Sequence, residues 1–174
     1  MTDQLSIHRY EIADHQEVRA LFISINRLMA PTHLKQAFED YIDKSLAEEI
    51  DTIPDYYRQK GGSFWVAKIH NRVVGMLGLE RYGDGDLELR RMYVSPDCQR
   101  QGIARRMLAF AESQSLADGA KRLYLSTSEL QEAALAFYRN SGYQLMREEL
   151  ADTASNKTIG GGIRRYYFVK ALTE

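Results

Sequence analysis

The sequence has a single cysteine, few histidines and no long apolar run. Cys98 alone cannot form an intramolecular disulfide or a multi-cysteine metal site, and a lone thiol fits a reducing compartment. The four histidines show no HExxH spacing, so we expect no metal site. The apolar runs are only a few residues long, and the amino terminus lacks the apolar stretch of a signal peptide. Both features predict a soluble, cytoplasmic protein that does not enter a membrane.

Neither sign of charge is in excess, because 23 Lys and Arg residues oppose 24 Asp and Glu residues, for a formal net charge of −1. A protein that neutralises many phosphates needs a basic excess, so we expect no nucleic-acid partner. The chain also lacks a GxxxxGK[ST] phosphate loop, a complete GxGxxG fingerprint and a GxSxG nucleophile motif. Its 174 residues, 44% of them hydrophobic, fit one globular domain over residues 1–174.

Hydrophobic periodicity predicts the element order β-α-α-β-β-β-α-β-α-β-β, which is an α/β or α+β domain with a mixed sheet. The β-rich runs place strands at 5–10, 64–69, 72–80, 87–94, 122–126, 143–150 and 163–172. Apolar residues three and four apart place helices at 13–29, 33–50, 103–117 and 130–140. Pro54 and a glycine pair predict a loop over 51–62.

The segment 88–104 combines a strand, a short polar turn and the start of a helix. A helix start leaves backbone N–H groups unpaired and carries a partial positive charge. Gly102 and Ala104 have little or no side chain there, so a ligand can approach the backbone closely. Arg100, Arg105 and Arg106 add positive charge. These features predict a diphosphate cradle, and the alternative is an ordinary strand–turn–helix with a solvated basic face.

The same segment resembles a known family. Gln99-x-x-Gly102-x-Ala104 is similar to the acetyl-CoA-binding motif Q/R-x-x-G-x-G/A of the GNAT N-acetyltransferases. The resemblance extends upstream to the hairpin at 64–79 and downstream to Ala134-x-x-Phe137-Tyr138-x-x-x-Gly142-Tyr143, so that it covers about residues 62–145. It implies a mixed, mostly antiparallel sheet of six to seven strands flanked by four helices, with the acetyl-CoA-binding core in the matched region.

The resemblance also implies acetyl-CoA as cosubstrate, without a metal. The strand that ends at Val94 splays from its neighbour in the family, and its free backbone N–H groups bind the pantetheine arm and polarise the acetyl carbonyl. The residues implied in cofactor binding are Met92, Tyr93, Val94, Gln99, Arg100, Gln101, Gly102, Ile103, Ala104, Arg105, Thr127, Gln131 and Ala134. Two of them depart from the common pattern, since many members have glycine at Ala104 and asparagine at Gln131.

The implied reaction is direct attack of an amine on the acetyl thioester, which calls for a proton acceptor. A lysine-like amine has a pKa of about 10.4, so only about one molecule in a thousand is neutral near pH 7. Glu88 is the candidate base, because it lies eleven residues before Gln99, as the catalytic glutamate does in the histone-acetyltransferase branch. Strand alternation predicts that Glu88 shares a face with Arg90, Met92 and Val94. Pairing of Glu88 with Arg90 is the structural alternative.

Glu80, at the end of the preceding strand, is the second candidate for the base. Tyr138 matches the tyrosine that protonates the departing thiolate in the family, and its alternative is a tyrosine at the edge of the core. Tyr56 and Tyr57 either line the acceptor site or only pack a loop.

The resemblance therefore favours an N-acetyltransferase that acts on a primary amine of a small molecule or amino acid. One alternative is a protein lysine or N-terminal acetyltransferase, which would need an exposed groove between the edges of the sheet. The other is a non-catalytic acyl-CoA-binding regulator, which the presence of Glu88 and Tyr138 disfavours. We expect a small-molecule amine as partner and leave a homodimer open.

Overall fold

The computed structural model describes residues 4–173, which form a seven-stranded sheet in the order β1-β2-β3-β4-β5-β7-β6. Each neighbouring pair is antiparallel except β4 and β5, which are parallel. The strands are β1 (Ser6–Arg9), β2 (Ser63–Ile69), β3 (Arg72–Tyr82), β4 (Asp86–Val94), β5 (Arg122–Ser128), β6 (Gln144–Ala151) and β7 (Ile163–Ala171). The helices are α1 (His15–Met29), α2 (Lys35–Glu48), α3 (Ile53–Gln59), α4 (Ile103–Ala117) and α5 (Glu132–Asn140). The predicted mixed, mostly antiparallel sheet and its four predicted helices are confirmed.

A separate apolar cluster covers each face of the sheet. On one face α4 packs through Met107 and Leu108 against strand residues such as Leu89 and Leu123. On the other face α1, α2 and α3 bury side chains such as Phe22. The apolar residues of α1 lie three and four apart, so they form one buried stripe of the helix. No helix within residues 4–173 has the length and apolar character needed to cross a membrane.

The loop predicted over 51–62 is wrong, because the segment contains helix α3. Pro54 lies in the first turn of the helix, where its missing N–H costs nothing and its fixed φ favours the helical backbone. Ile53 and Tyr57 lie four residues apart on the same face, and both are buried. The proline that was taken as a loop signal therefore begins a helix.

Strand β4 contains a bulge that changes which face its side chains reach. Gly78 pairs with Arg90 and Met76 pairs with Tyr93, so two residues of β4 oppose a single residue of β3. Arg91 has a φ of +54°, in the left-handed region. Such an insertion shifts the alternation by one residue.

The face predicted for Met92 and Val94 is consequently wrong. Both pack against the cluster on the α4 face, together with Leu89. Tyr93 packs instead against the cluster formed by α1, α2 and α3. Glu88 and Arg90 precede the bulge, so their shared face is unaffected and their side chains remain in contact.

The predicted splay of β4 from β5 is confirmed. Within residues 4–173 the ladder between the two strands has only two pairs, Leu87 with Leu123 and Glu88 with Tyr124. Beyond Glu88 the strands diverge, and the edge of β4 that faces β5 is left without a strand partner. The sheet therefore has a gap at its centre, with the carboxyl-terminal half of β4 along one side.

Candidate active site

Two adjoining cavities occupy the gap between β4 and β5. The larger has a volume of about 910 Å³ and lies at the start of α4. The smaller has a volume of about 120 Å³ and lies between the gap and the segment around Asn156. Both cavities are lined by Met92, Tyr93, Gln131, Ala134 and Tyr138. A molecule bound across the gap would therefore extend into both cavities.

The larger cavity includes the amino terminus of α4. Arg100 and Gly102 both have left-handed backbone, with φ of +63° and +80°. No side chain among the described residues, 4–173, caps the helix, and its first backbone bond runs from Arg106 N–H to the Gly102 carbonyl. A Cβ added to Gly102 would meet nothing within 4 Å, so space remains open above these N–H groups. An uncapped, accessible helix start of this kind fits the diphosphate of a coenzyme A molecule.

The predicted cofactor-binding residues line the larger cavity, except for Gln101 and Thr127. Oε1 of Gln101 is buried without a hydrogen-bond partner among residues 4–173. Thr127 lines the smaller cavity and donates a hydrogen bond to Oε1 of Gln131, at 2.7 Å. The side chain of Gln99 donates to the Val94 carbonyl at 3.3 Å, so it joins the turn before α4 to the end of β4.

Tyr138 lies where the two cavities adjoin. It is held in α5 by ring contacts with Phe137 and Tyr143. Burial raises the pKa of Tyr138 well above its ordinary value, and the neighbouring Tyr93 raises it further. The phenol is therefore neutral at physiological pH and can donate a proton. Tyr138 thus packs at the edge of the core and also lines both cavities. Its core-edge position is therefore compatible with the predicted role as the acid that protonates the thiolate.

Glu88 lines the smaller cavity, with 17% of its side chain exposed. Its contacts are loose: Oε1 lies 3.8 Å from Nε of Arg90 and 3.6 Å from Nζ of Lys157. Arg90 makes much shorter ion pairs, at 2.7 Å with Glu80 and 2.9 Å with Glu49. The predicted pairing of Glu88 with Arg90 is thus a minor contact. Of the two candidate bases, Glu88 lines the cavity and Glu80 does not.

Glu49, which sequence reasoning did not single out, is the centre of a buried charge cluster beside the site. Its carboxylate is fully buried, 2.9 Å from Nη1 of Arg90 and 3.1 Å from Nη2 of Arg91, and it accepts a hydrogen bond from the Tyr57 hydroxyl at 2.7 Å. Burial opposes its ionisation, but the two guanidinium groups outweigh this and hold the pKa of Glu49 below its usual range. A signal was available, since Glu49 directly follows α2 and comes three residues after the buried Leu46.

Tyr56 and Tyr57 act in packing. The Tyr56 hydroxyl accepts a hydrogen bond from Arg90 at 2.7 Å and donates to Glu80 at 3.2 Å. Burial raises the pKa of Tyr56 to about 12. Tyr57 is buried above Gly78, and neither tyrosine lines either cavity.

The charge cluster also holds a loop against the smaller cavity. Nη2 of Arg91 donates to the Asn156 carbonyl at 2.5 Å, and Nη2 of Arg90 donates to the same oxygen at 3.4 Å. Lys157, the next residue, lies 3.7 Å from Glu80 and 3.6 Å from Glu88. These contacts place the loop between β6 and β7 over one side of the smaller cavity.

Comparison with known proteins agrees with this geometry. Human N-acetyltransferase 8 is 32% identical over 136 residues, which are 72% of this chain and 58% of that protein. A GNAT acetyltransferase from Staphylococcus aureus Mu50 has a TM-score of 0.73 at 20% identity, covering 97% of this chain and 99% of its own. PaiA N-acetyltransferase from Thermoplasma acidophilum, solved with coenzyme A, has a TM-score of 0.72 at 16% identity, covering 96% and 98%.

The chain spans between half and three fifths of the length of the curated relatives it matches. At such low identities the two solved structures establish the fold. The family itself follows from a match over residues 26–143, which include β4, the splayed gap, α4 and the tyrosine of α5. The chain belongs to the acetyltransferase (GNAT) family.

Proposed function

We propose that this protein is an acetyl-CoA-dependent N-acetyltransferase that acts on a primary amine of a small molecule or amino acid. One observation carries the proposal. The gap between β4 and β5 joins an uncapped helix start to a cavity lined by Glu88, and Tyr138 lies where the two meet. A diphosphate at the start of α4 and an amine near Glu88 would therefore lie on opposite sides of a single opening.

The larger cavity supplies what a coenzyme A arm needs. The N–H groups at 102–105 would hold the diphosphate, with Arg100 and Arg105 adding positive charge. Bound acetyl-CoA would bring a thioester carbonyl into the gap. The unpaired edge of β4 at Met92–Val94 would direct backbone N–H groups towards that carbonyl oxygen.

Glu88 has the role of proton acceptor from the incoming amine. It lines the smaller cavity, and its ion pairs within residues 4–173 are long, at 3.6 Å and 3.8 Å, so an ammonium group can compete for its carboxylate. A carboxylate with an ordinary pKa of about 4.3 and an amine with a pKa of about 10.4 differ by roughly six units, or about 8 kcal/mol, so transfer from the free ammonium ion is unfavourable. Glu88 therefore takes the proton as the nitrogen attacks the thioester and becomes acidic, directly or through one water. Glu80 is a weaker choice, because Arg90 and Tyr56 already bind its carboxylate.

Tyr138 has the role of acid towards the departing thiolate. A thiol with a pKa of about 8.5 and a phenol with a pKa of about 10 differ by about 2 kcal/mol. Burial increases this cost, but it also guarantees that the phenol is protonated when the thiolate forms.

The smaller cavity favours a small acceptor over a protein. Its volume is about 120 Å³, and the loop at Asn156 covers one side through hydrogen bonds from Arg90 and Arg91. A lysine side chain presented by a protein would need an open groove at this position.

The test is a screen of primary amines with acetyl-CoA in which release of free thiol is followed. We expect turnover, and we expect Tyr138→Phe to lower kcat by roughly 10²–10⁴, the usual range for a general acid. Tyr143→Phe is the matched control, because it removes a hydroxyl that is also buried but has no hydrogen-bond partner in the described part of the chain, and Tyr143 lines neither cavity. Intact acetyl-CoA binding without turnover on any amine would contradict the proposal and indicate an acyl-CoA-binding regulator.

A further inference from the structure

Arg165 on β7 is a charged residue of the smaller cavity for which the proposed reaction has no use. It pairs with Ser128 of β5 in the ladder, so both side chains lie on the same face of the sheet. Its guanidinium donates a hydrogen bond to Oγ of Ser126 at 2.9 Å. The guanidinium is always charged and carries five N–H donors, and Arg165 lines the smaller cavity.

No carboxylate among residues 4–173 lies within ion-pair distance of Arg165. Glu149 is its ladder partner on β6, but that carboxylate accepts a hydrogen bond from the Tyr167 hydroxyl at 2.8 Å and lies 3.6 Å from Arg147. Each remaining cationic side chain of the cavity does have a carboxylate: Arg90 and Arg91 contact Glu49, and Lys157 contacts Glu80 and Glu88.

The charges of the site therefore do not cancel. Arg90 and Arg91 are balanced by Glu49 and Glu80, and Lys157 is balanced by Glu88. The charge of Arg165 is left over. An acceptor that enters as an ammonium ion is repelled by this charge unless it carries a negative group of its own.

We propose that Arg165 binds a carboxylate of the acceptor, so that the substrate is an amine that also bears a carboxylate. The inference rests on the proposed function, because it assumes that the smaller cavity holds the acceptor. A guanidinium presents a planar fork of N–H donors that matches the two oxygens of a carboxylate. The hydroxyls of Ser126 and Ser128 lie beside it and add further donors. The amine of such a molecule is then directed towards Glu88.

The experiment compares matched pairs of acceptors, each an amino acid and the amine that lacks only its carboxylate. For the wild type we expect kcat/KM to favour the amino acid by about tenfold to a hundredfold, the value of a hydrogen bond to a charged group. In Arg165→Gln this ratio should fall to near one, through a higher KM for the amino acid and a KM for the amine that is lowered because the repelling charge is gone. Arg164→Gln is the matched control, since Arg164 lies on the opposite face and pairs with Glu148 at 3.2 Å.

Calorimetry of the same pairs, with coenzyme A present, tests the inference without turnover. We expect the wild type and Arg164→Gln to bind the amino acid more tightly than the amine, and Arg165→Gln to lose this preference. That result supports the carboxylate site even where no acetyl transfer is detected. The carboxylate site is refuted if the wild type turns over or binds the amino acid and the amine of every pair equally well, whatever the variants do. Equal turnover would refute only the carboxylate site and leave the proposed N-acetyltransferase function standing, whereas an absence of turnover on every amine would contradict the proposed function itself.

Discussion

Replacing Glu49 with glutamine removes the charge on which the buried cluster depends while keeping nearly the same shape. The change leaves Arg91, whose side chain is 3% exposed, and Arg90, whose side chain is 6% exposed, with one carboxylate fewer between them. Glu80 still pairs with Arg90, so the uncompensated charge falls mainly on Arg91. Removal of one partner from a buried ion pair costs about 3–5 kcal/mol of unfolding free energy. Since the total free energy of unfolding of a domain is only about 5–15 kcal/mol, this loss is readily measured.

The assay is urea unfolding followed by circular dichroism, with Glu48→Gln as the matched control. Glu48 is the neighbouring residue, the last of α2, and is exposed, so its substitution should change the free energy of unfolding by less than about 0.5 kcal/mol. We expect Glu49→Gln to lower the urea midpoint with an unchanged slope. Equal free energies for the two variants would refute the claim that Glu49 organises the cluster.

The pH dependence of the difference gives a second test. The pKa of Glu49 is lower in the folded state than in the unfolded state. Its contribution is therefore fully present above the unfolded-state pKa of about 4.3 and is lost as the pH falls through the lower folded-state value. The stability gap between wild type and Glu49→Gln should be constant between about pH 6 and 8 and should narrow below about pH 4. A stability difference between the two proteins that increases in acid would contradict the lowered pKa of Glu49 in the folded state.

Three further changes test other parts of the site. Gly102→Asp should abolish acetyl-CoA binding in calorimetry, while Gly102→Asn, which tolerates the left-handed backbone, should bind more tightly than the aspartate variant; equal affinities would contradict the diphosphate cradle. Glu88→Gln should lower kcat/KM most near neutral pH and least at high pH, where the amine loses its proton unaided, and a parallel drop across the whole pH–rate profile would contradict the role of base. Gly78→Ala should lower the free energy of unfolding by about 1–3 kcal/mol, because the new Cβ would clash with the ring and hydroxyl of the buried Tyr57, and unchanged thermal unfolding would contradict that contact.

The parts of the site that depend on local sequence were predictable. The start of α4 follows from Gly102, whose left-handed backbone ends the polar turn, and from the apolar stripe that begins at Ile103. The position of Tyr138 follows from its place four residues after Ala134 on the same helix. Both depend on spacing within one helix, and tertiary contacts do not change them.

The buried charge cluster beside the smaller cavity could not be predicted, because it depends on the bulge in β4. Arg90 and Arg91 are consecutive, and regular alternation would send one of them to each face. The bulge lets both reach Glu49, which lies 42 residues earlier in the chain than Arg91. The residues around an arginine look the same in the sequence whether its side chain is exposed or forms a buried ion pair with a carboxylate so far away in the chain.

The same bulge also determines how β4 serves the two cavities. It turns Met92 and Val94 towards the α4 face and Tyr93 towards α1, so the strand contributes side chains to both sides of the gap just where its pairing with β5 has ended. Without the insertion, Arg91 would point towards the apolar cluster around Leu89, where its charge would be buried among apolar side chains. The buried cluster at Glu49 therefore stabilises the bulge, and the bulge in turn positions the backbone that we propose binds the thioester.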